Sequence, residues 1–278
     1  MGIIISRNYG AKNEDQLRKS VAATAIIGCI LSLFVIFIGA VGLYPLLQFL
    51  GTPSAIVSQS YLYIATIVNG VAVTFAYNLC AGLLRAVGDS LAALYFLIIA
   101  AILNILLDLY FITQLHLGVQ SAGIATIIAQ SFSALLCFFY IRRKVPFLLP
   151  SRTDFVWDQR LYQDLISQGL TMGLMSSIVS IGTVILQSAI NKLGMTIISA
   201  QISARRIMSF ALLPITAISS SMTTFTSQNF GAKQFRWIQK GVKQACLLSL
   251  TWSIFVAILL FFASPFLTSL ISGSTNPN

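Results

Sequence analysis

Charge is scarce in this chain. Only 9% of its 278 residues are Asp, Glu, Lys or Arg, against about 25% in a soluble domain. Hydrophobic residues make up 57%, so the polar groups are too few to cover the surface of a water-soluble body. Lipid is the implied solvent over much of that surface. Acidic groups are scarcest, with seven against 17 basic ones. The resulting net charge of +10 does not indicate a nucleic-acid partner, because the cations sit in short clusters between apolar runs and form no continuous phosphate-binding stripe. The single histidine and the four cysteines, Cys29, Cys80, Cys137 and Cys246, show no CxxC pair and no metal-ligand spacing. All four cysteines lie inside apolar runs, where they read as small core hydrophobes, and no disulfide is expected. No phosphate-binding Gly-rich loop, dinucleotide turn, zinc motif or nucleophile elbow occurs. The expectation is a protein that is not an enzyme and holds no cofactor. Met1 to Ile5 is too short for a signal-peptide core, so no cleavable signal is expected.

What the chain does have is long apolar runs. Crossing a hydrocarbon core of about 30 Å takes roughly 20 helical residues. Runs of that length recur at about 20–49, 58–84, 91–113, 121–143, 163–193, 195–228 and 240–271. Membrane-spanning strands alternate polar and apolar residues in segments of about ten, whereas these runs are apolar on every face. The fold class expected is all-α, a polytopic transmembrane helix bundle.

The connections alternate in charge. Arg7, Lys12, Arg18 and Lys19 precede the first run, and Arg85 follows the second. Arg142, Arg143, Lys144, Arg152 and Arg160 follow the fourth, while Lys233, Arg236, Lys240 and Lys243 follow the sixth. The opposite connections, near 50–57, 114–120 and 192–194, carry only His116 and Lys192. This asymmetry predicts that the basic loops and the N-terminus are cytoplasmic in a multi-pass plasma-membrane protein. Residues 144–162, with two prolines, mixed charge and Trp157, read as a cytoplasmic linker that partly follows the lipid headgroups. It divides an N-terminal lobe, 1–143, from a C-terminal lobe, 163–278.

A self-match gives the architecture. Ser6-Arg7-Asn8-Tyr9-Gly10-Ala11-Lys12-Asn13 recurs 221 residues later as Ser227-Gln228-Asn229-Phe230-Gly231-Ala232-Lys233-Gln234, and basic residues and a long apolar run follow each copy. Six runs separate the copies, so both face the same side and the halves are parallel repeats. Two six-helix repeats are expected, of which one and a fraction are present. On this offset residues 1–6 match 222–227, so the first lobe is expected to lack its first helix and most of its second. The repeat and the charge bias both argue against a seven-span receptor.

Asp108 is the one acidic residue well inside a run. A carboxylate there is costly, about 2.5–3.5 kcal/mol on insertion scales, and marks an ion or proton pathway by default. Asn104, four residues earlier, shares its helical face, and Thr126 on the next run offers a hydroxyl. Carboxylate, amide and hydroxyl oxygens suit Na⁺, and the carboxylate alone suits a proton. Arg205 and Arg206 lie about ten residues into the sixth run, and two readings fit: one faces an aqueous cavity while the other snorkels, or this part of a long helix projects beyond the outer leaflet. Gln187 and Gln201 are candidates to line the same cavity. Pro214 is expected to kink that helix. In the segment from Gly82 to Ser90, Gly88 is expected to stop a helix, and Arg85 to meet headgroups or pair with Asp89.

Taken together and in order, these segments resemble the multidrug and toxic compound extrusion (MATE) family. SRNYGAKN and SQNFGAKQ are similar to the paired Q-N-x-G-A signature that ends its second and eighth helices. LLRAVGDS is similar to its R-A-x-G-D/S-T element after helix four, and NILLDLYFI with GVQSAGIATIIAQ to its passage from helix five to helix six. The resemblance implies a two-lobed, twelve-helix antiporter that works by alternating access, expelling small organic, cationic compounds in exchange for Na⁺ or H⁺. It implies cation coupling at Asn104, Asp108 and Thr126, with Na⁺ held there where Na⁺ is the coupling ion, and a substrate cavity that includes Gln187, Gln201 and Arg205. The family completes the cation site with an Asp on helix one, which has no counterpart here, and Thr171 stands where a Pro is common near the start of helix seven. Helices ten to twelve also have no counterpart, so an inactive fragment is one expectation for the chain alone. A lipid-linked oligosaccharide flippase of the same broader superfamily is the alternative.

Overall fold

The computed structural model describes residues 2–49, 54–115, 118–191 and 194–272. His116 and Lys192, on which the charge contrast of the loops partly rested, lie outside them. The described residues form helices α1 (Gly2–Gly10), α2 (Glu14–Phe49), α3 (Ser54–Asn69), α4 (Val71–Ala86), α5 (Ser90–Thr113), α6 (Gln120–Lys144), α7 (Gln159–Asn191), α8 (Met195–Gly231) and α9 (Phe235–Ser272), with two 3₁₀ turns at Pro146–Leu148 and Arg152–Asp154. Among the described residues, six helices are long and apolar enough to cross a membrane. The outward faces show why water is not their solvent: Leu33 and Phe37 on α2 are each 67% exposed, and Ile178 on α7 is 69% exposed.

The second expected span is not one rod. It is the pair α3 and α4, bent by 44° at a break where Gly70 lies, and counting this pair as one span gives seven. The break coincides with a close helix contact. A Cβ on Gly70 would run into the Ile127 side chain of α6, so glycine lets the backbone lie directly on that helix. Gly123 of α6 does the same in reverse, since a Cβ there would come within 3.1 Å of the Thr66 side chain of α3.

Two compact units divide the chain, Met1–Tyr162 and Gln163–Asn278. The first has a dense core at its Arg-rich end, where Ile5, Leu17, Leu84, Cys137, Ile141 and Leu148 from α1, α2, α4, α6 and the first 3₁₀ turn are almost wholly buried. The connection after α6 is fastened to this core. Asp154, 4% exposed, accepts the Ser151 N–H at 2.7 Å and the Ser151 hydroxyl at 2.8 Å, and pairs with the Arg18 guanidinium of α2 at 3.5 Å. In the second unit α8 and α9 lie against each other, and the Trp252 indole donates to the Ala211 carbonyl at 2.9 Å. Pro214 lies inside the unbroken span of α8.

The repeated loops have one backbone. α1 and α8 end at Gly10 and Gly231, and Lys12 and Lys233 both take the left-handed conformation, with φ of 56° and 58°. In the first copy Lys12 N–H donates to Tyr9 C=O and Asn13 N–H to Asn8 C=O; in the second Lys233 donates to Phe230 and Gln234 to Asn229. These are the paired closing bonds of a Schellman C-cap. Every partner is displaced by the 221 residues of the sequence match. Gly88 closes α4 in the same way at φ 94°, with Asp89 N–H donating to Leu84 C=O.

Candidate functional site

α6 is the hub of the polar groups inside the first unit. Toward α3, the Gln120 amide donates to the Thr66 hydroxyl at 3.2 Å. Toward α5, the Asn104 amide donates to the Thr126 hydroxyl at 3.3 Å. Toward α4, the Thr74 hydroxyl donates to the Gln130 amide oxygen at 2.6 Å. Side-chain hydrogen bonds thus join α6 to each of three neighbours, in a region where lipid offers no substitute partner, and toward α5 the Ser133 hydroxyl adds another by donating to the Phe96 carbonyl at 2.7 Å.

Two of the three residues singled out as cation-coupling therefore meet. The Thr126 hydroxyl, besides accepting from Asn104, donates to the Ala122 carbonyl at 2.8 Å. With the Asn104 amino group engaged, its amide oxygen is the remaining acceptor. Asp108 stands one turn further along α5 and is half-buried. Its Oδ1 is buried and has no hydrogen-bond partner among the described residues. A buried, unpartnered carboxylate oxygen costs free energy unless a cation or a proton reaches it. Asp108 supplies the one carboxyl group among these three residues. No group of three or more His, Cys, Asp or Glu side chains suited to a metal ion occurs among the described residues.

Of the other candidates, Gln187 lies half-buried on α7, and Gln201 and Arg205 lie one turn apart on α8. The Gln201 Oε1 is buried without a hydrogen-bond partner among the described residues, while Arg205 and Arg206 are exposed. Thr66, Thr74, Gln120 and Gln130 escaped sequence reasoning, because a lone hydroxyl or amide in an apolar run looks the same whether it bonds its own helix or another. At the Arg-rich end, Asp89 does not pair with Arg85. Its Oδ1 caps α5 by accepting the Ala92 N–H at 3.1 Å, and its Oδ2 accepts the Tyr140 hydroxyl at 2.9 Å.

A model of the MatE family matches two stretches of the chain, residues 1–110 and 172–276. The chain belongs to the MatE family. Among curated relatives, the probable multidrug resistance protein YoeA of Bacillus subtilis is 24% identical over 275 residues, which is 96% of this chain and 59% of YoeA. The probable multidrug resistance protein YpnP of the same organism is 27% identical over 225 residues, 79% of this chain and 50% of YpnP. A crystal structure of MATE in complex with MaL6 superposes with a TM-score of 0.92 at 21% identity, covering 99% of this chain and 62% of that one. This MatE chain thus spans between half and three fifths of the length of these relatives, and its fold is that of the solved MATE structures.

Proposed function

We propose that this MatE chain is part of a secondary-active multidrug exporter that couples efflux of small organic, cationic compounds to entry of Na⁺ or H⁺ by alternating access. The relatives YoeA and YpnP are named as probable multidrug resistance proteins, which supports the substrate class. The observation that carries the coupling step is the orphaned Oδ1 of Asp108 beside the Asn104–Thr126 pair. Occupied by one monovalent cation, the carboxylate is neutral and its helix can stay in an apolar surround; emptied, it favours a state that admits water. That difference is what a coupling group needs, since an ion shifts a conformational equilibrium only by its differential affinity for the two states. Gln187, Gln201 and Arg205 are assigned to the substrate cavity of the second lobe. The basic clusters support a cytoplasmic N-terminus in the plasma membrane.

Proteoliposomes holding the exporter with both lobes test the reading. Gradient-driven efflux of an organic cation should vanish in Asp108→Asn and fall in Asn104→Ala and Thr126→Val. Efflux retained in Asp108→Asn sinks the assignment. Imposing a Na⁺ gradient and a pH gradient separately identifies the coupling ion.

A further inference from the structure

The connection between α6 and α7 is held at both ends and bare in the middle. Upstream, both 3₁₀ turns rest on α2 and the first also on α6. Leu148 is fully buried in the core cluster, and Asp154 is fixed by Ser151 and Arg18. Downstream, the Asp158 carboxylate opens α7 by accepting the Arg160 N–H at 3.0 Å and the Leu161 N–H at 3.3 Å, and Leu161 and Tyr162 are buried. Between these anchors stand three consecutive apolar residues, Phe155, Val156 and Trp157, exposed by 51%, 52% and 74%. The Trp157 ring stacks on Tyr162 with centroids 4.4 Å apart.

Height and charge identify what covers these three side chains. Asp154 pairs with Arg18, and the apolar run of α2 begins about two residues later, a rise of about 3 Å. The exposed residues therefore follow directly from the level where headgroups meet hydrocarbon, the depth at which Trp is enriched. From Arg142 to Arg160 the chain carries five basic residues, Arg142, Arg143, Lys144, Arg152 and Arg160, and two acidic ones, Asp154 and Asp158. All five basic residues are exposed. The two carboxylates are turned inward, Asp154 to Ser151 and Arg18 and Asp158 to the first N–H groups of α7. The outward charge is thus positive, the sign that an anionic leaflet attracts.

We propose that Phe155, Val156 and Trp157 are a membrane-surface anchor, inserted in the headgroup layer of the leaflet at the Arg-rich end, with anionic phospholipid gathered around them by Arg152 and Arg160. The two arginines flank the anchor, three residues before Phe155 and three after Trp157. The division of labour is that of interfacial segments in general: apolar and aromatic side chains set the depth, and the cations set the preference for anionic lipid. The anchor takes no part in the coupling site, whose residues lie inside α5 and α6.

The test uses the full chain in nanodiscs of phosphatidylcholine, with and without phosphatidylglycerol. Trp237→Phe with Trp252→Phe leaves Trp157 as the one tryptophan. Its emission should be quenched by lipids brominated at shallow acyl carbons and shielded from acrylamide in the water, more so when phosphatidylglycerol is present. Adding Arg152→Gln and Arg160→Gln should remove the phosphatidylglycerol dependence and leave the quenching in phosphatidylcholine. Because the Trp252 indole bonds Ala211, a second measurement keeps every tryptophan. Phosphatidylglycerol with a photoreactive diazirine near its headgroup should cross-link to the peptide 152–160 of the unaltered chain. Trp157 open to acrylamide and unquenched by brominated lipid would put the three residues in water. Shielded from acrylamide yet unquenched by lipid, they would be covered by protein. Either result, or a 152–160 peptide free of cross-linked lipid, overturns the proposal, and quenching indifferent to phosphatidylglycerol overturns the role given to the arginines. These readouts do not depend on efflux, so they are separate from the test of the coupling site.

Discussion

Asp154 shows how much a single side chain can settle in a chain with seven acidic groups. The Ser151 N–H, followed by the Ser151 hydroxyl, holds its carboxyl below the usual carboxylate range; Arg18 and Lys19 add to this and burial opposes it. A depressed folded-state pKa means that this contribution to stability is complete above the unfolded value, about 3.9, and is lost as the pH falls through the lower folded value. The turn at 152–154 should therefore stay docked on α2 at neutral pH. Limited proteolysis between α6 and α7 should speed up in Asp154→Ala at pH 7, and cleavage unchanged from the parent protein would remove Asp154 as the anchor. In sequence, Asp154 was one charge among several in a polar linker. Its partner Arg18 lies on another helix 136 residues earlier, and no local pattern links the two.

The element scale is where sequence reasoning reached furthest. Seven apolar runs located the helices because lipid demands that each span satisfy its own backbone, so hydropathy and helix coincide. The two repeated loops were legible for a similar reason: a Schellman cap is made of bonds among neighbours, so equal octapeptides close in the same way. Lys12 and Lys233 occupy a left-handed position that favours glycine. Lys233 is exposed, and Lys233→Gly should stabilise the end of α8 by up to about 1 kcal/mol, the left-handed cost for an L-residue, less the entropy that glycine adds to the unfolded chain. Chemical denaturation in detergent checks this, and a destabilised variant would mean that the lysine makes a contact outweighing its backbone cost. The break at Gly70 was not legible. A glycine within an apolar run is compatible with a straight helix, and its close approach to Ile127 of α6 joins residues 57 positions apart.

At the scale of the whole molecule, burial is uneven. The first unit concentrates its nearly inaccessible side chains at the Arg-rich end, whereas the long helices of the second unit show apolar side chains along most of their faces. Local opening should follow that distribution. In detergent, hydrogen exchange should be slowest at the amides of Leu17, Leu84 and Ile141, and faster along α7 at equal distance from helix ends. Uniform protection across both units would show that core packing does not set the hierarchy.

The sequence by itself determined the class of protein, the approximate limits of its helices and the parallel repeat. Each of these follows from composition, from runs longer than a bilayer is thick, or from bonds between residues close in the chain. It also singled out Asn104, Asp108 and Thr126 by residue type. Only the tertiary structure decided that Asn104 meets Thr126, that α6 bonds α3, α4 and α5 in turn, and that Asp89 turns to Tyr140. Those pairings join different helices across at least 22 residues of sequence. Which apolar faces meet is fixed by glycine-sized clearances and side-chain shape, and a helix that is apolar all round gives no sign of that choice.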